Sequence, residues 1–244
     1  MTRGVLAELI NWTWIRDNFA NTPPGTPSIV SATLQHIELA VIAVVIGTAI
    51  SLPLGILAYR RAALYVPVTF VSGLLYTIPS LALFVLLIPL TGLSYLTVEI
   101  GLVAYTLLIL IRNVVAGLAG VPGDVKDSAR GMGMRDRQLL WRVELPLALP
   151  VIIAGVRVAT VSTIGLVTIG ALIGRGGLGQ FILGGLQVFF TTEILVGVVL
   201  SLLLALVADA ALVGVQRLLT PWARRGGRRS TARGATGPVS AEAA

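Results

Sequence analysis

Two long uncharged runs limit the folds open to this chain more than any other feature of its sequence. The first, residues 39–59, has 21 residues without a formal charge, and the second, residues 62–98, has 37. About 20 apolar residues in a helix are enough to cross the hydrocarbon core of a bilayer. Of all residues, 56% are hydrophobic and only 12% are charged, against about a quarter in soluble globular proteins. The sequence therefore predicts an all-α, multi-pass protein of the cell membrane.

The apolar runs predict five membrane spans. The second run is too long for one crossing and too short for two crossings with a loop between them. Proline removes a backbone donor and clashes with the preceding turn, so Pro79 predicts one helix bent at that residue. Two half-spans that meet at Pro79 are the alternative. The predicted spans are approximately residues 39–59, 64–90, 96–118, 147–173 and 194–219.

The polar stretches divide the rest of the chain. Residues 1–27 predict a segment at the membrane interface, where Trp12 and Trp14 would suit the boundary between lipid and water. Residues 28–220 form the predicted transmembrane domain, which includes a polar loop at residues 119–146. Residues 221–244 are basic and lack the apolar content to fold, which predicts a disordered tail.

Positive charge sets the expected orientation. In a five-span arrangement nearly all basic residues outside the spans fall on one side, and basic residues collect on the cytoplasmic side of bacterial membrane proteins. The loop and the C-terminus are therefore expected in the cytoplasm and the N-terminus outside. The residues on the cytoplasmic side include Arg60, Arg61, Lys126, Arg130, Arg135, Arg137, Arg142, Arg217 and the tail arginines, against Arg3, Arg16 and Arg175 on the other side.

Composition argues against several classes of function. With no cysteine and one histidine, His36, the sequence predicts no metal site. The net charge of +7 is explained by membrane topology, so no nucleic-acid partner is expected. The only lysine, Lys126, precedes Asp127, whereas a phosphate-binding loop needs Gly-Lys-Ser/Thr. The chain is therefore not expected to be an enzyme or to bind ATP. The glycine-rich run 174–185 predicts a flexible connector rather than a dinucleotide site.

The polar loop predicts two short helices around a turn. Asp124 is expected to cap the first helix, and Gly133 to end it. A second helix is expected over residues 136–143, after which Pro146 begins the next span. The small side chains of Ser128 and Ala129 would let the first helix approach a partner closely.

The loop carries a spaced motif that resembles a known one. It reads Asp127-Ser128-Ala129, three residues, Gly133, nine residues, Val143, one residue, Leu145-Pro146. This resembles the cytoplasmic Glu-Ala-Ala motif of permeases from binding-protein-dependent ATP-binding-cassette importers, with Asp for Glu, Ser for Ala and Val for Ile. The segments 76–84, 129–157 and 171–179 are similar to permeases of osmoprotectant importers, and methionine-importer permeases look similar.

The resemblance implies a set of partners and a role for the motif. It implies a second permease subunit, cytoplasmic ATPase subunits that hold ATP, and a binding protein outside. The motif residues would contact the ATPase, and no cofactor is expected on this chain. The solute would be glycine betaine, choline, carnitine or proline, or an amino acid in a related importer.

Charges inside the spans are candidates for the translocation path or for a structural role within the membrane. Arg157 and Asp209 lie at similar predicted depth and are expected to face the bundle interior and pair. Arg112 lies near a span end, where its side chain could reach the interface. At 6% aromatic residues, no aromatic cage for a quaternary ammonium group is expected.

Two other classes of protein stay open on the residues alone. An ion-coupled secondary transporter or channel would show acidic residues at midplane and internal repeats. Asp209 is the one candidate acid, and the sequence shows no repeat. A membrane enzyme would need a cluster of catalytic acids, histidines or cysteines, and the sequence has none.

Overall fold

The computed structural model describes residues 10–20 and 26–222, and these ranges form a helical bundle without strands. Residues 1–9 and 21–25 of the predicted interfacial segment and residues 223–244 of the predicted tail lie outside them. The helices are α1 Trp12–Asp17, α2 Ile29–Arg60, α3 Ala62–Thr77, α4 Ser80–Thr91, α5 Tyr95–Ala119, α6 Gly123–Gly131, α7 Asp136–Ile173, α8 Gly179–Gln187 and α9 Thr191–Leu219.

Four helices are long and apolar enough to cross a membrane, and a bent pair supplies a fifth segment. The four are α2, α5, α7 and α9, and the pair is α3 and α4. The pair is bent by 96°, so the expectation of one helix with a kink is wrong and the alternative of two half-spans fits. The cause is local: Ile78 adopts an extended conformation, as residues before proline tend to, and Pro79 continues it before α4 begins.

Helix α5 lies at the centre and packs against α2, α3, α4 and α7. Glycines on α2 allow close contact: a Cβ on Gly47 would lie 1.9 Å from Thr106 Oγ1, and one on Gly55 would lie 2.6 Å from Val114 Cγ1. Small residues serve this purpose in membranes, where the hydrophobic effect does not drive helices together. The arrangement leaves α9 on the outside, with little of its apolar surface covered by the chain itself.

Helix α7 joins the polar loop to the membrane without a break. It begins as α-helix, passes through a π-helical turn at Leu140–Glu144, continues as α-helix and ends in a 3-10 turn at Thr168–Ile173. The expectation that a short helix stops before Pro146 is therefore wrong. Pro146 has no amide to donate, and the wider turn, closed by the Leu145 N–H to the Leu140 carbonyl, accommodates it.

The glycine-rich connector is packed instead of loose, contrary to the sequence expectation. A Cβ on Gly176 would lie 2.1 Å from the Ala171 nitrogen, and one on Gly177 would lie 2.7 Å from His36 Cβ. His36 is fully buried and holds this end of the bundle together. Its Nδ1 accepts from the Leu178 N–H at 3.3 Å, so its Nε2 carries the proton and donates to the Ile164 carbonyl at 2.9 Å.

Candidate functional site

Helix α6 forms the outermost part of the loop. It starts at Gly123 with Pro122 in the cap position, so the prediction that Asp124 caps it is wrong by two residues. Asp124 stands in the first turn, where a carboxylate still suits the positive end of the helix dipole.

The C-terminus of α6 is closed by a Schellman motif around Gly133. The Gly133 N–H donates to the Arg130 carbonyl at 2.8 Å, and the Met134 N–H donates to the Ala129 carbonyl at 3.2 Å. Gly133 has a φ of +83°, a left-handed conformation that costs other residues free energy. The structure thus confirms that the chain turns at Gly133.

The motif residues separate into an outer and an inner set. Asp127, Ser128 and Gly133 are exposed, whereas Val143, Leu145 and Pro146 are half-buried in the π-helical turn and the start of the span. Ala129 was expected on the surface, but it is buried. A small residue at position 129 therefore lets α6 lie close to the rest of the loop, and only the outer set is open to a partner.

A buried carboxylate fastens the loop to the bundle. Glu144 in α7 is 2% exposed, and its Oε2 lies 3.0 Å from Nη2 of Arg60 at the end of α2. Tyr59 donates its hydroxyl to Glu144 Oε1 at 3.3 Å and accepts from Lys126 Nζ at 3.2 Å. Arg60 Nη2 also donates to the Asp136 carbonyl at 3.0 Å. The loop anchor, defined as Tyr59, Arg60 and Glu144, therefore connects α2, α6 and α7.

Sequence reasoning missed the loop anchor. Arg60 was assigned only to topology, and Glu144 occupies the unspecified position of the motif. The available signal was an acid directly before the apolar start of a span, in a chain with a basic pair closing the first span. A charge in such a place needs a partner when it is buried.

The intramembrane charges pair as predicted, although not in the bundle interior. Arg157 Nε lies 2.8 Å from Asp209 Oδ1, and Arg157 Nη2 lies 3.0 Å from Oδ2, a bidentate arrangement between α7 and α9. Their side chains stay 29% and 36% exposed, because α9 covers only one edge of α7. Gln216 Nε2 donates to the Pro150 carbonyl at 3.0 Å, which joins the same two helices nearer the loop.

A cavity of about 420 Å³ lies where α3 and α4 separate at Pro79. Non-helical backbone at membrane depth is tolerated where it lines such a cavity. Tyr105, at the middle of α5, donates its hydroxyl to the Ile78 carbonyl and so satisfies the open backbone. The lining residues with a hydroxyl group are Tyr76, Thr77, Ser80, Tyr105, Thr106, Ser162 and Thr163.

Arg112 lies on α5 in a separate groove, beside Phe70, Tyr76 and Leu108. It is exposed, and among the described residues it has no ion-pair partner. It stands two helical turns from Tyr105 toward the loop, or roughly 10 Å.

A multi-pass helical bundle with a fastened polar loop at one end and a hydroxyl-lined cavity at a broken helix defines a membrane transport protein. The family model of the binding-protein-dependent transport system inner membrane component matches residues 47–225. This chain belongs to that family, as a transport subunit of the inner membrane.

Curated relatives are similar over most of their length. The chain is 40% identical to the carnitine transport permease protein OpuCB of Listeria monocytogenes, over 80% of this chain and 90% of the relative. It is 40% identical to the osmoprotectant import permease protein OsmW of Salmonella typhimurium, over 79% of this chain and 92% of the relative. It is 36% identical to the choline transport system permease protein OpuBB of Bacillus subtilis, over 78% and 87%.

The fold is shared with a solved importer. A structure of inward-facing conformations of the MetNI methionine ABC transporter superposes with a TM-score of 0.71, at 24% identity over 79% of this chain and 96% of that chain. The similarity supports the all-helical architecture.

Proposed function

We propose that this chain is the permease subunit of an ATP-driven importer for small osmoprotectants such as carnitine, choline, glycine betaine or proline. The names of its relatives at 36–40% identity support this class of solute. The one observation that carries the proposal is the exposed, Gly133-terminated α6, which is joined through Tyr59 to the ion pair of Arg60 with the buried Glu144.

The ATPase subunits bind at the outer face of α6. Asp127 and Ser128 are exposed there together with Met132, which offers an apolar contact. Asp127 lies 3.5 Å from Arg130, but both side chains are largely exposed, so a partner can displace that contact at little cost. ATP is held by the ATPase subunits, and this chain supplies only the surface that follows their motion.

The loop anchor transmits that motion. A shift of α6 acts on α2 through the hydrogen bond from Lys126 to Tyr59, and Tyr59 and Arg60 pass it to α7 through Glu144. Helix α7 then runs 38 residues, roughly 55 Å, to the far end of the bundle. A displacement at the loop therefore reaches the cavity, which α7 lines with Ser162 and Thr163.

The loop faces the cytoplasm and the far end faces outward, where a substrate-binding protein docks. The basic ends of α2 and α9 lie at the same end of the bundle as α6, which supports this orientation. A second permease subunit, identical or paralogous, packs against exposed apolar helix surface. Nucleotide binding by the ATPase then biases the pair between outward and inward access.

Reconstitution tests this function. The full chain is purified from its native membrane with any associated ATPase, placed in proteoliposomes with the binding protein, and assayed for uptake of labelled carnitine, choline, glycine betaine and proline. We expect uptake of at least one of these only with ATP. Uptake driven by an ion gradient without an ATPase would overturn the proposal in favour of a secondary transporter.

A further inference from the structure

Two tyrosines meet at the cavity where the helix is broken. Tyr76 ends α3 and Tyr105 lies in α5, with ring centroids 5.6 Å apart and planes inclined at 66°. Tyr105 is buried and held by its hydrogen bond to the Ile78 carbonyl. Tyr76 is 44% exposed and lines both the cavity and the groove that contains Arg112. One ring is therefore fixed, and the other stands at the junction of two openings.

The inclined rings of Tyr76 and Tyr105 form two walls that suit a cation. The face of a ring carries negative charge density, which attracts cations that have lost water. A quaternary ammonium group has no N–H to donate to a hydroxyl oxygen, so it is bound better by the faces of aromatic rings. None of the described residues that line the cavity carries a charge, so the attraction stays weak. Weak binding suits a site on a path, because a solute must leave as easily as it enters.

We propose that Tyr76 and Tyr105 form a transient subsite for the trimethylammonium group of the solute as it crosses the bundle. This inference rests on the proposed function and extends it to the membrane subunit. Tyr105 fixes the geometry of the broken backbone, and Tyr76 offers its ring to the passing cation. Recognition in the permease then depends on the ring, not on the tyrosine hydroxyl.

A graded change of the ring tests the subsite with little change of shape. Phenylalanine with zero, one, two or three ring fluorines is incorporated at position 76 of the full transporter, since each fluorine withdraws charge from the ring face. We expect Tyr76→Phe to retain uptake of labelled choline or glycine betaine. Each added fluorine is expected to lower uptake, to about fivefold below Tyr76→Phe with three. Stimulation of ATP hydrolysis by the loaded binding protein is expected to stay within about twofold of wild type, since α6 is unchanged.

Tyr76→Leu and Tyr65→Leu provide a matched pair of variants. Tyr65 is an exposed tyrosine on the same helix and does not line the cavity. We expect Tyr76→Leu to lower uptake per ATP hydrolysed, and Tyr65→Leu to leave it unchanged. If uptake is flat across the fluorinated series while wild type transports these solutes, the subsite is overturned and the proposed function stands. If wild type takes up proline with ATP but no trimethylammonium solute, the subsite is overturned and the proposed function stands. If it takes up none of the four solutes with ATP, both are overturned.

Discussion

The loop anchor allows a direct test of how this permease holds its polar loop. Arg60→Met leaves the Glu144 carboxylate almost fully buried, and among the described residues only the Tyr59 hydroxyl stays as its partner. Removing one member of a fully buried ion pair costs about 3–5 kcal/mol, and an exposed pair contributes about 0–1. Arg60 is 29% exposed, so we expect a loss of about 2 kcal/mol of unfolding free energy.

A double-mutant cycle separates pairing from general damage. Glu144→Leu removes the buried charge, and the double variant replaces both groups by apolar ones, which is often tolerated. Unfolding of the full chain in mixed micelles with increasing SDS, followed by tryptophan fluorescence, should give a coupling energy of about 1–2 kcal/mol. A coupling below about 0.5 kcal/mol would refute the view that the ion pair fastens the loop.

The exposed pair in the same loop is the matched control. Asp127 and Arg130 lie 3.5 Å apart, with side chains 78% and 53% exposed. The same cycle at these positions should give only about 0.3 kcal/mol, and this value should fall with salt. A similar coupling energy at the Arg60–Glu144 pair and at the exposed pair would show that the SDS titration does not distinguish buried from exposed ion pairs.

Three further outcomes follow from the geometry. Gly133→Ala should destabilise the loop by about 1 kcal/mol, because position 133 has a positive φ, whereas Gly131→Ala, at a helical position, should not. The loss of ATPase co-purification should therefore be larger for Gly133→Ala, and equal losses would contradict the expected difference. Arg157→Ala and Asp209→Ala should each lower the unfolding midpoint in the same micelle titration, with clear coupling in the double variant, and zero coupling would rule out the pair. Gly47→Val should destabilise the bundle by about 1–3 kcal/mol, since the valine side chain on α2 would meet the buried Thr106 on α5. An unchanged unfolding midpoint would show that α2 and α5 can separate at no cost.

The spans and the loop were predictable because they depend on local composition. A bilayer requires long, predominantly apolar helices, and such runs are visible at 39–59 and 194–219 without any tertiary information. The turn at Gly133 was predictable for a similar reason, since a glycine after a short polar helix is a common end signal.

Features that depend on packing were not predictable from the sequence. Proline predicts a local disturbance, but whether it gives a kink or a 96° break depends on what supports the open backbone, here the Tyr105 hydroxyl. The continuity of α7 through Pro146 depends on one π-helical turn, which leaves no sequence signal. Glu144 could not be assigned a partner, because Arg60 lies 84 residues away and is brought close only by the fold.

The central claim is that α6 is the surface on which the ATPase acts, and it can be tested with one cross-linking measurement. The chain contains no cysteine, so Ser128→Cys introduces a single thiol on the exposed face of α6, and Leu93→Cys introduces one in the exposed turn between α4 and α5. A short reagent with one thiol-reactive end and one photoactivated end, applied to native membranes that contain the whole transporter, should join Ser128→Cys to the ATPase subunit and leave Leu93→Cys unlinked. Linkage from Leu93→Cys alone, or none from Ser128→Cys in membranes that still transport, would contradict the claim.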